Sequence, residues 1–167
     1  MNWKILCSFL IVLVVFSCKE KPKEIPDAII KETLQQANKK IVSEDKLLID
    51  AYIKRRNWNA DKTGTGLTYF IYQKNNKPRI KSNESVSIKF SLQTLEGKVI
   101  FDKNQIQKVK FKVEKDNVES GIHEVIQKMG KGEKAFVILP PHLAFGLTGT
   151  EQIPPYSILV YDLEVQE

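Results

Sequence analysis

The sequence predicts an α+β protein: an antiparallel sheet of five to six strands is wrapped on one short helix, and a helical arm precedes it. Two observations carry this prediction. Apolar residues recur at helical spacing before the Thr63-Gly64-Thr65-Gly66 break and at alternate positions after it. Between residues 67 and 167 there are many strand-like segments and one helix-like segment, so one element is left to cover the apolar face of the sheet.

The N-terminal residues indicate export. Lys4 precedes a short apolar stretch, residues 5–16, which falls short of the roughly 20 residues that a membrane-spanning helix needs. Ser17-Cys18 follows, and this ending resembles a bacterial lipobox, in which Cys18 is lipidated and becomes the first mature residue. The alternative is an ordinary signal peptide with an incidental cysteine. Because of the lipobox-like ending, we favour the first interpretation and expect residues 1–17 to be a lipoprotein signal peptide.

Residues 18–26 are predicted to be the lipidated cysteine and a charged tether, because they are too poor in apolar side chains to bury a core. A helical arm is expected over residues 27–62, with Asp27 placed to cap it. Its apolar residues recur at spacings of four, three and four, and a second run surrounds Leu48 and Tyr52: Ile30, Leu34, Ala37, Ile41, Ile49, Ile53. Whether the arm forms one helix or two remains open. We expect its helical part to end near Asn57-Trp58-Asn59. We favour packing of this stripe on the sheet domain over dimerisation through it. Both a monomer and a dimer formed through the arm stay open.

Strand periodicity begins after the glycine-rich break. The predicted strands are residues 69–71, 86–92, 99–101, 109–113, 134–139 and 158–165. Val86, Ile88, Phe90 and Leu92 alternate with serine and lysine, which is typical of a strand with one buried face. Residues 118–129 carry one apolar stripe at helical spacing and predict the short helix.

Composition excludes several kinds of chemistry. Of the two cysteines, Cys7 lies in the signal and Cys18 at the lipidation site, so no thiol remains for a disulfide or a nucleophile. The formal net charge of +6 comes from lysines interspersed with acidic residues, which argues against nucleic-acid binding. His123 and His142 have no Cys or His at ligand spacing, and no nucleotide-binding or hydrolase motif occurs. We expect no metal and no cofactor.

Four motifs follow one another through the strand region: Phe101-Asp102, Gly130-Lys131-Gly132-Glu133-Lys134, Pro140-Pro141-His142-Leu143-Ala144-Phe145-Gly146 and Ile153-Pro154-Pro155. Each is common alone, but the four in this order are specific. Together they resemble the FKBP-type peptidyl-prolyl cis-trans isomerases, or rotamases, over roughly residues 64–167. The resemblance implies an FKBP-like isomerase domain at residues 63–167. The N-terminal region is similar to that of lipoprotein members of the bacterial cell envelope, including gliding-motility-associated ones.

The resemblance also implies a site, an apolar pocket that accepts the proline of an X-Pro segment and, in the family, macrolide ligands. Asp102, Phe101 and Phe145 correspond to its catalytic positions, with Asp102 orienting the twisting imide by its charge. The Glu119 backbone N–H would donate to a substrate carbonyl. The remaining implied lining residues are Phe90, Val109, Val118, Glu119, Ile122, Ile153 and Tyr161.

Four of these positions depart from the family pattern. Phe90 and Phe145 stand where tyrosine is usual, Ile122 where tryptophan is common, and Glu119 where an isoleucine is typical. Two functions therefore stay open. The first is a membrane-anchored isomerase, of full or weakened activity, that assists the folding of exported proteins at the periplasmic face or outer surface. The second is a non-catalytic binding module or holdase in an envelope assembly. Both bind proline-containing polypeptides, and they differ in turnover.

Overall fold

The computed structural model describes residues 26–104 and 106–167. The chain divides into two compact units, Met1–Asn38 and Lys39–Glu167. The described part of the first unit is helical, and its large apolar side chains Ile29, Ile30 and Leu34 are exposed. The predicted signal peptide, Cys18 and nearly all of the tether lie outside the described residues. Within the described ranges, no helix is long and apolar enough to span a bilayer.

Helix α1 spans Asp27–Arg55, so the two apolar runs of the arm belong to one helix. Its end lies close to the predicted position. Asn57 has a left-handed φ of 53°, and the backbone N–H groups of Asn57 and Trp58 donate to the carbonyls of Lys54 and Ile53. This pair of hydrogen bonds is the Schellman arrangement, which satisfies the last carbonyls of a helix and turns the chain.

The second unit contains an antiparallel sheet of seven strands and a second helix, which confirms the predicted α+β class. Helix α2, Ser120–Ile126, lies between the fifth and sixth strands. The strands are β1 (Asp61–Lys62), β2 (Thr68–Gln73), β3 (Ser85–Thr94), β4 (Val99–Phe101), β5 (Gln107–Lys112), β6 (Lys134–Leu139) and β7 (Leu159–Val165). Six of them occupy predicted segments. The seventh, β1, has only two residues and no apolar periodicity, and its pairing with β2 defines it.

The strand order is β1-β2-β6-β7-β3-β4, with β5 also paired to β3. Strand β3 is the longest, and it pairs with β7 from Ile88↔Val165 to Thr94↔Leu159. On its other edge the first half of β3 pairs with β5 and the second half with β4. Because side chains alternate across a strand, β3 turns Val86, Ile88, Phe90 and Leu92 toward one core.

Helix α2 covers that core. Its residues Ile122, Val125 and Ile126 are buried. Gly121 allows the close approach, because a Cβ at this position would lie 2.4 Å from Leu139 Cδ2 and 3.1 Å from the Leu143 carbonyl oxygen. A side chain at this position would therefore displace the end of the Leu139 side chain and crowd the Leu143 carbonyl, so glycine suits the close packing of the helix on the end of β6.

The opposite face of the sheet is also partly covered, by residues of the arm. Ile49 and Tyr52 of α1 are buried against Ile138, Ile158 and Val160. The Trp58 ring stacks on Phe136 with centroids 4.4 Å apart. The arm thus packs through Ile49 and Tyr52, whereas Leu48 stays 52% exposed.

The Gly-Lys-Gly-Glu motif has a structural role in the turn before β6. Glu133 is 5% exposed, and its Oε1 and Oε2 accept backbone N–H groups of Asn75 and Gly130, each at 2.9 Å. The two backbone donors stabilise the buried carboxylate. The carboxylate in turn fixes the loop after β2 and the turn before β6, because charge-assisted hydrogen bonds are stronger than neutral ones. The motif therefore joins the loop after β2 to the start of β6.

The contact at Gly121 gives a test of this packing. Gly121→Ala is expected to lower the free energy of unfolding by about 1–2 kcal/mol, because overpacking outweighs the roughly 1 kcal/mol that alanine gains over glycine in a helix. Urea unfolding measures the change. Gly64→Ala is the matched control, since a Cβ there meets nothing within 4 Å. Equal stability of the two variants would contradict the close contact.

Candidate functional site

A cavity of about 500 Å³ opens between β3, β5, β7, helix α2 and the loop after β6. Most of the residues implied by the resemblance line it. The described lining residues are Ile88, Phe90, Val109, Asn117, Val118, Glu119, Ser120, Ile122, Ala144, Phe145 and Tyr161. The volume lies within the range of small-molecule sites, and seven of the eleven lining residues are apolar, a mixture of apolar walls and a few polar groups that is usual for such sites.

The sheet supplies the deepest side chains. Phe90 and Ile88 share one face of β3, and Val109 of β5 lies directly opposite Ile88. Tyr161 reaches the same face from β7, and Ile122 faces it from α2. Ile122 and Tyr161 are each 1% exposed and form the floor of the cavity.

Three aromatic rings meet at one side of the cavity. Phe90 lies 5.2 Å from Tyr161 and 6.4 Å from Phe101, centroid to centroid, with interplanar angles of 56° and 68°. Inclined arrangements at these distances are favourable, because the positive edge of one ring meets the negative face of another. Phe101 is not among the lining residues. It packs against Phe90 and holds that ring in place.

The loop after β6 presents Phe145. Pro141–Leu143 form a 3₁₀ turn, and the Gly146 N–H donates back to the Pro141 carbonyl at 2.8 Å. Gly146 has a left-handed φ of 61°, a conformation that glycine adopts without strain. Ile153, also expected in the pocket, is 4% exposed and lies in the core, where it anchors this loop. The structure brings it to the base of the loop and not to the cavity lining.

Asp102 lies apart from Phe145. It is exposed just after β4, and its Oδ1 accepts the Asn104 backbone N–H at 2.7 Å. Together with Phe101 it lines a second cavity of about 300 Å³, which also includes Arg56 and Trp58. The structure therefore does not gather the three implied catalytic residues around one cavity.

Glu119 and Tyr161 form a polar pair inside the cavity. Glu119 is the N-cap residue of α2, yet its side chain makes no capping bond. Its Oε1 instead accepts the Tyr161 hydroxyl at 2.9 Å. Burial raises the pKa of Tyr161 well above its usual value, and the charge and hydrogen bond of Glu119 add to the effect. Tyr161 is therefore a protonated donor throughout the neutral range.

The two histidines have backbone partners. His123 Nδ1 accepts the Glu114 backbone N–H at 3.0 Å, so its Nε2 is the protonated nitrogen that donates to the Asp116 carbonyl at 3.0 Å. His142 Nε2 lies 2.8 Å from the Thr65 carbonyl oxygen. Within residues 26–104 and 106–167, no group of three or more His, Cys, Asp or Glu side chains could hold a metal ion.

Sequence reasoning missed four lining residues: Ile88, Asn117, Ser120 and Ala144. The sequence pattern could have identified Ile88 as a lining residue, because it lies two positions before Phe90 on the same strand face. Ala144 precedes Phe145 within the Pro-Pro-His-Leu-Ala-Phe-Gly motif. Asn117 and Ser120 carry no signal of their own and belong to the cavity because they flank Val118 and Glu119.

The family described as FKBP-type peptidyl-prolyl cis-trans isomerase matches residues 76–166. The Escherichia coli protein named FKBP-type peptidyl-prolyl cis-trans isomerase FkpA is 30% identical over 103 residues, which are 62% of this chain and 38% of that protein. A Haemophilus influenzae protein named probable FKBP-type peptidyl-prolyl cis-trans isomerase is 30% identical over 155 residues, or 83% and 63% of the two chains. This chain thus spans less than two thirds of either relative.

Solved structures agree in fold. The crystal structure of FkpA from Escherichia coli aligns with a TM-score of 0.61 and 24% identity, over 96% of this chain and 81% of that one. A peptidyl-prolyl cis-trans isomerase from Pseudomonas syringae aligns with a TM-score of 0.63 and 19% identity, over 77% and 93%. At these identities the likeness concerns the fold alone.

Proposed function

Because the chain belongs to the FKBP-type peptidyl-prolyl cis-trans isomerase family, we propose that it catalyses rotation about X-Pro peptide bonds in the 500 Å³ cavity. The observation that carries this proposal is the apolar cavity itself, with Ile122 and Tyr161 as its buried floor and Phe90 and Phe145 among its walls. A proline ring is compact and apolar, and its transfer from water into this lining is favourable.

The chemistry needs no acid, base or nucleophile. The barrier to rotation, about 18–20 kcal/mol, comes from the partial double bond of the amide. Twisting breaks the resonance, so the twisted state carries less separated charge than the planar one. Water stabilises the planar amide better than the twisted one, and an apolar cavity removes that difference. The side chains lining the cavity therefore lower the barrier by excluding water from the imide.

One backbone group can orient the substrate. Within residues 26–104 and 106–167, no backbone carbonyl accepts a hydrogen bond from the Glu119 backbone N–H. We assign to it a hydrogen bond to a substrate carbonyl at the edge of the cavity. Phe101 is a positioning residue that holds the Phe90 ring, and Asp102 acts beyond it as a fixed negative charge without touching the imide.

A second candidate is a non-catalytic binding module or holdase that uses the same cavity. Two observations favour it. Phe90 and Phe145 contribute no hydroxyl to the cavity, and the Asp102 carboxylate lies beside the second cavity. Such a protein would bind proline-containing segments without accelerating their isomerisation.

Exchange NMR on X-Pro peptides with the purified full-length chain separates the two candidates. We expect the wild type to accelerate exchange and Phe145→Ala to lower kcat/KM by about tenfold, the effect of losing roughly 1.4 kcal/mol of apolar contact. Leu147→Ala is the control, because Leu147 lies on the same loop and is 63% exposed. Binding without acceleration would support the second candidate. If neither occurs, both candidates are wrong.

For the chain as a whole, we propose a lipoprotein of the cell envelope that assists the folding of exported proteins. Residues 1–17 would be its signal peptide, 18–26 the lipidated cysteine and tether, 27–62 the helical arm and 63–167 the isomerase domain. The apolar stretch before Ser17-Cys18 supports the anchor, and the exposed Ile30 and Leu34 leave a monomer or a dimer as alternatives. The resemblance to gliding-motility-associated lipoproteins belongs to the same proposal.

Metabolic labelling with palmitate tests the anchor. Wild-type protein is expected to incorporate label and to sediment with membranes. Cys18→Ser is expected to lose both properties, because the acylated thiol is removed. Cys7→Ser, which leaves the lipobox-like residues intact, serves as the control. Equal labelling of wild type and Cys18→Ser would contradict lipidation at this residue.

A further inference from the structure

The proposed isomerase site contains a carboxylate that its reaction does not use. We infer that Glu119 determines substrate specificity by selecting segments with a Lys or Arg side chain next to the proline. The inference rests on the proposed function, since it concerns substrates of the same cavity.

Charge in the cavity comes from one side chain. Among the described residues that line it, Glu119 is the only one with a charged side chain. No ion pair to Glu119 is found within residues 26–104 and 106–167. A carboxylate without an internal cation, set beside apolar walls, attracts an external cation more strongly than one surrounded by water would.

The position of the carboxylate is fixed. Glu119 is half-buried, and the Tyr161 hydroxyl donates to its Oε1 at 2.9 Å. Tyr161 is itself 1% exposed, so this donor is held rigidly in the floor. A carboxylate offers about four lone-pair sites, and the Tyr161 hydroxyl occupies one. The other acceptor sites remain for a ligand.

A basic side chain matches this arrangement. Lys and Arg carry their charge on long apolar stems, which lie along apolar surface while the charged head reaches a polar partner. Val118, which is half-buried, offers such surface beside Glu119. Arg adds a planar fork that binds carboxylates with two hydrogen bonds. An acidic side chain at the same place meets like charge and is disfavoured.

The experiment compares proline peptides that differ in one neighbouring residue. Lys and Glu are placed in turn before and after the proline, and a Leu-Pro peptide reports activity independent of charge. For the wild type we expect kcat/KM to favour the better-placed Lys peptide over its Glu counterpart by about tenfold at low salt. The preference should shrink toward unity near 1 M salt, where the Debye length is about 3 Å.

Two variants identify the source of the preference. Glu119→Gln keeps an acceptor oxygen for the Tyr161 hydroxyl and removes the charge, so its Lys-to-Glu ratio should approach one. Glu124→Gln changes the net charge equally from the same helix. Glu124 accepts the Thr65 hydroxyl and is absent from the described lining, so this variant should keep the wild-type ratio.

Each other outcome overturns the inference. A wild type with no Lys preference, or a preference that survives unchanged in Glu119→Gln, removes the assigned role while Leu-Pro turnover leaves the proposed function intact. If Glu119→Gln does not fold, as judged by circular dichroism, a wild-type preference that is unaffected by salt likewise overturns the role of Glu119. Absence of turnover and binding with every peptide, Leu-Pro included, overturns the proposed function as well. If peptides bind without turnover, the ratio is taken from Kd.

Discussion

The close contact of helix α2 with the sheet at Gly121 is the constraint on which the cavity depends. A glycine here lets the helix approach Leu139 and the Leu143 carbonyl. This contact sets the position of the next residue, Ile122, which lies with Tyr161 at the cavity floor. A helix held farther away would open the floor to water. The apolar environment that is proposed to stabilise a twisted imide would then be lost.

The same helix brings the polar group of the site. Its first residue follows Glu119, which lines the cavity. One residue can thus orient a carbonyl through its backbone and attract a cation through its side chain. The Tyr161 hydroxyl connects this carboxylate to the buried sheet, so the position of the charge depends on the packing of α2.

Much of the fold could be predicted, because it follows from local periodicity. The alternation in β3 and the alternation of lysine with Val109 and Phe111 in β5 each indicate one buried face, and both strands occur where predicted. The prediction that the arm packs on the sheet domain did not specify a face, although β6 is apolar at five consecutive positions from Ala135, as expected of a strand buried on both sides. The two-residue strand β1 has no periodicity to read and exists through its partner alone.

The site was less predictable than the fold. Residues on regular elements, such as Phe90 and Ile122, fall on a face that periodicity determines. Asp102 follows a three-residue strand, and the turn after it sets the direction of its carboxylate, which no motif specifies. Ile153 belongs to a recognisable motif, but the closure of its loop carries it into the core. The resemblance thus indicated most of the lining residues, but it also implied Phe101, Asp102 and Ile153, which do not line the cavity.

A crystal structure of the protein with a bound proline peptide tests the central claim most directly, namely that the cavity over Ile122 accepts proline. We predict the pyrrolidine ring above Ile122, between Phe90 and Phe145, with a peptide carbonyl on the Glu119 backbone N–H. A peptide bound in the second cavity beside Asp102 and Arg56, with the first cavity empty of it, would contradict this claim.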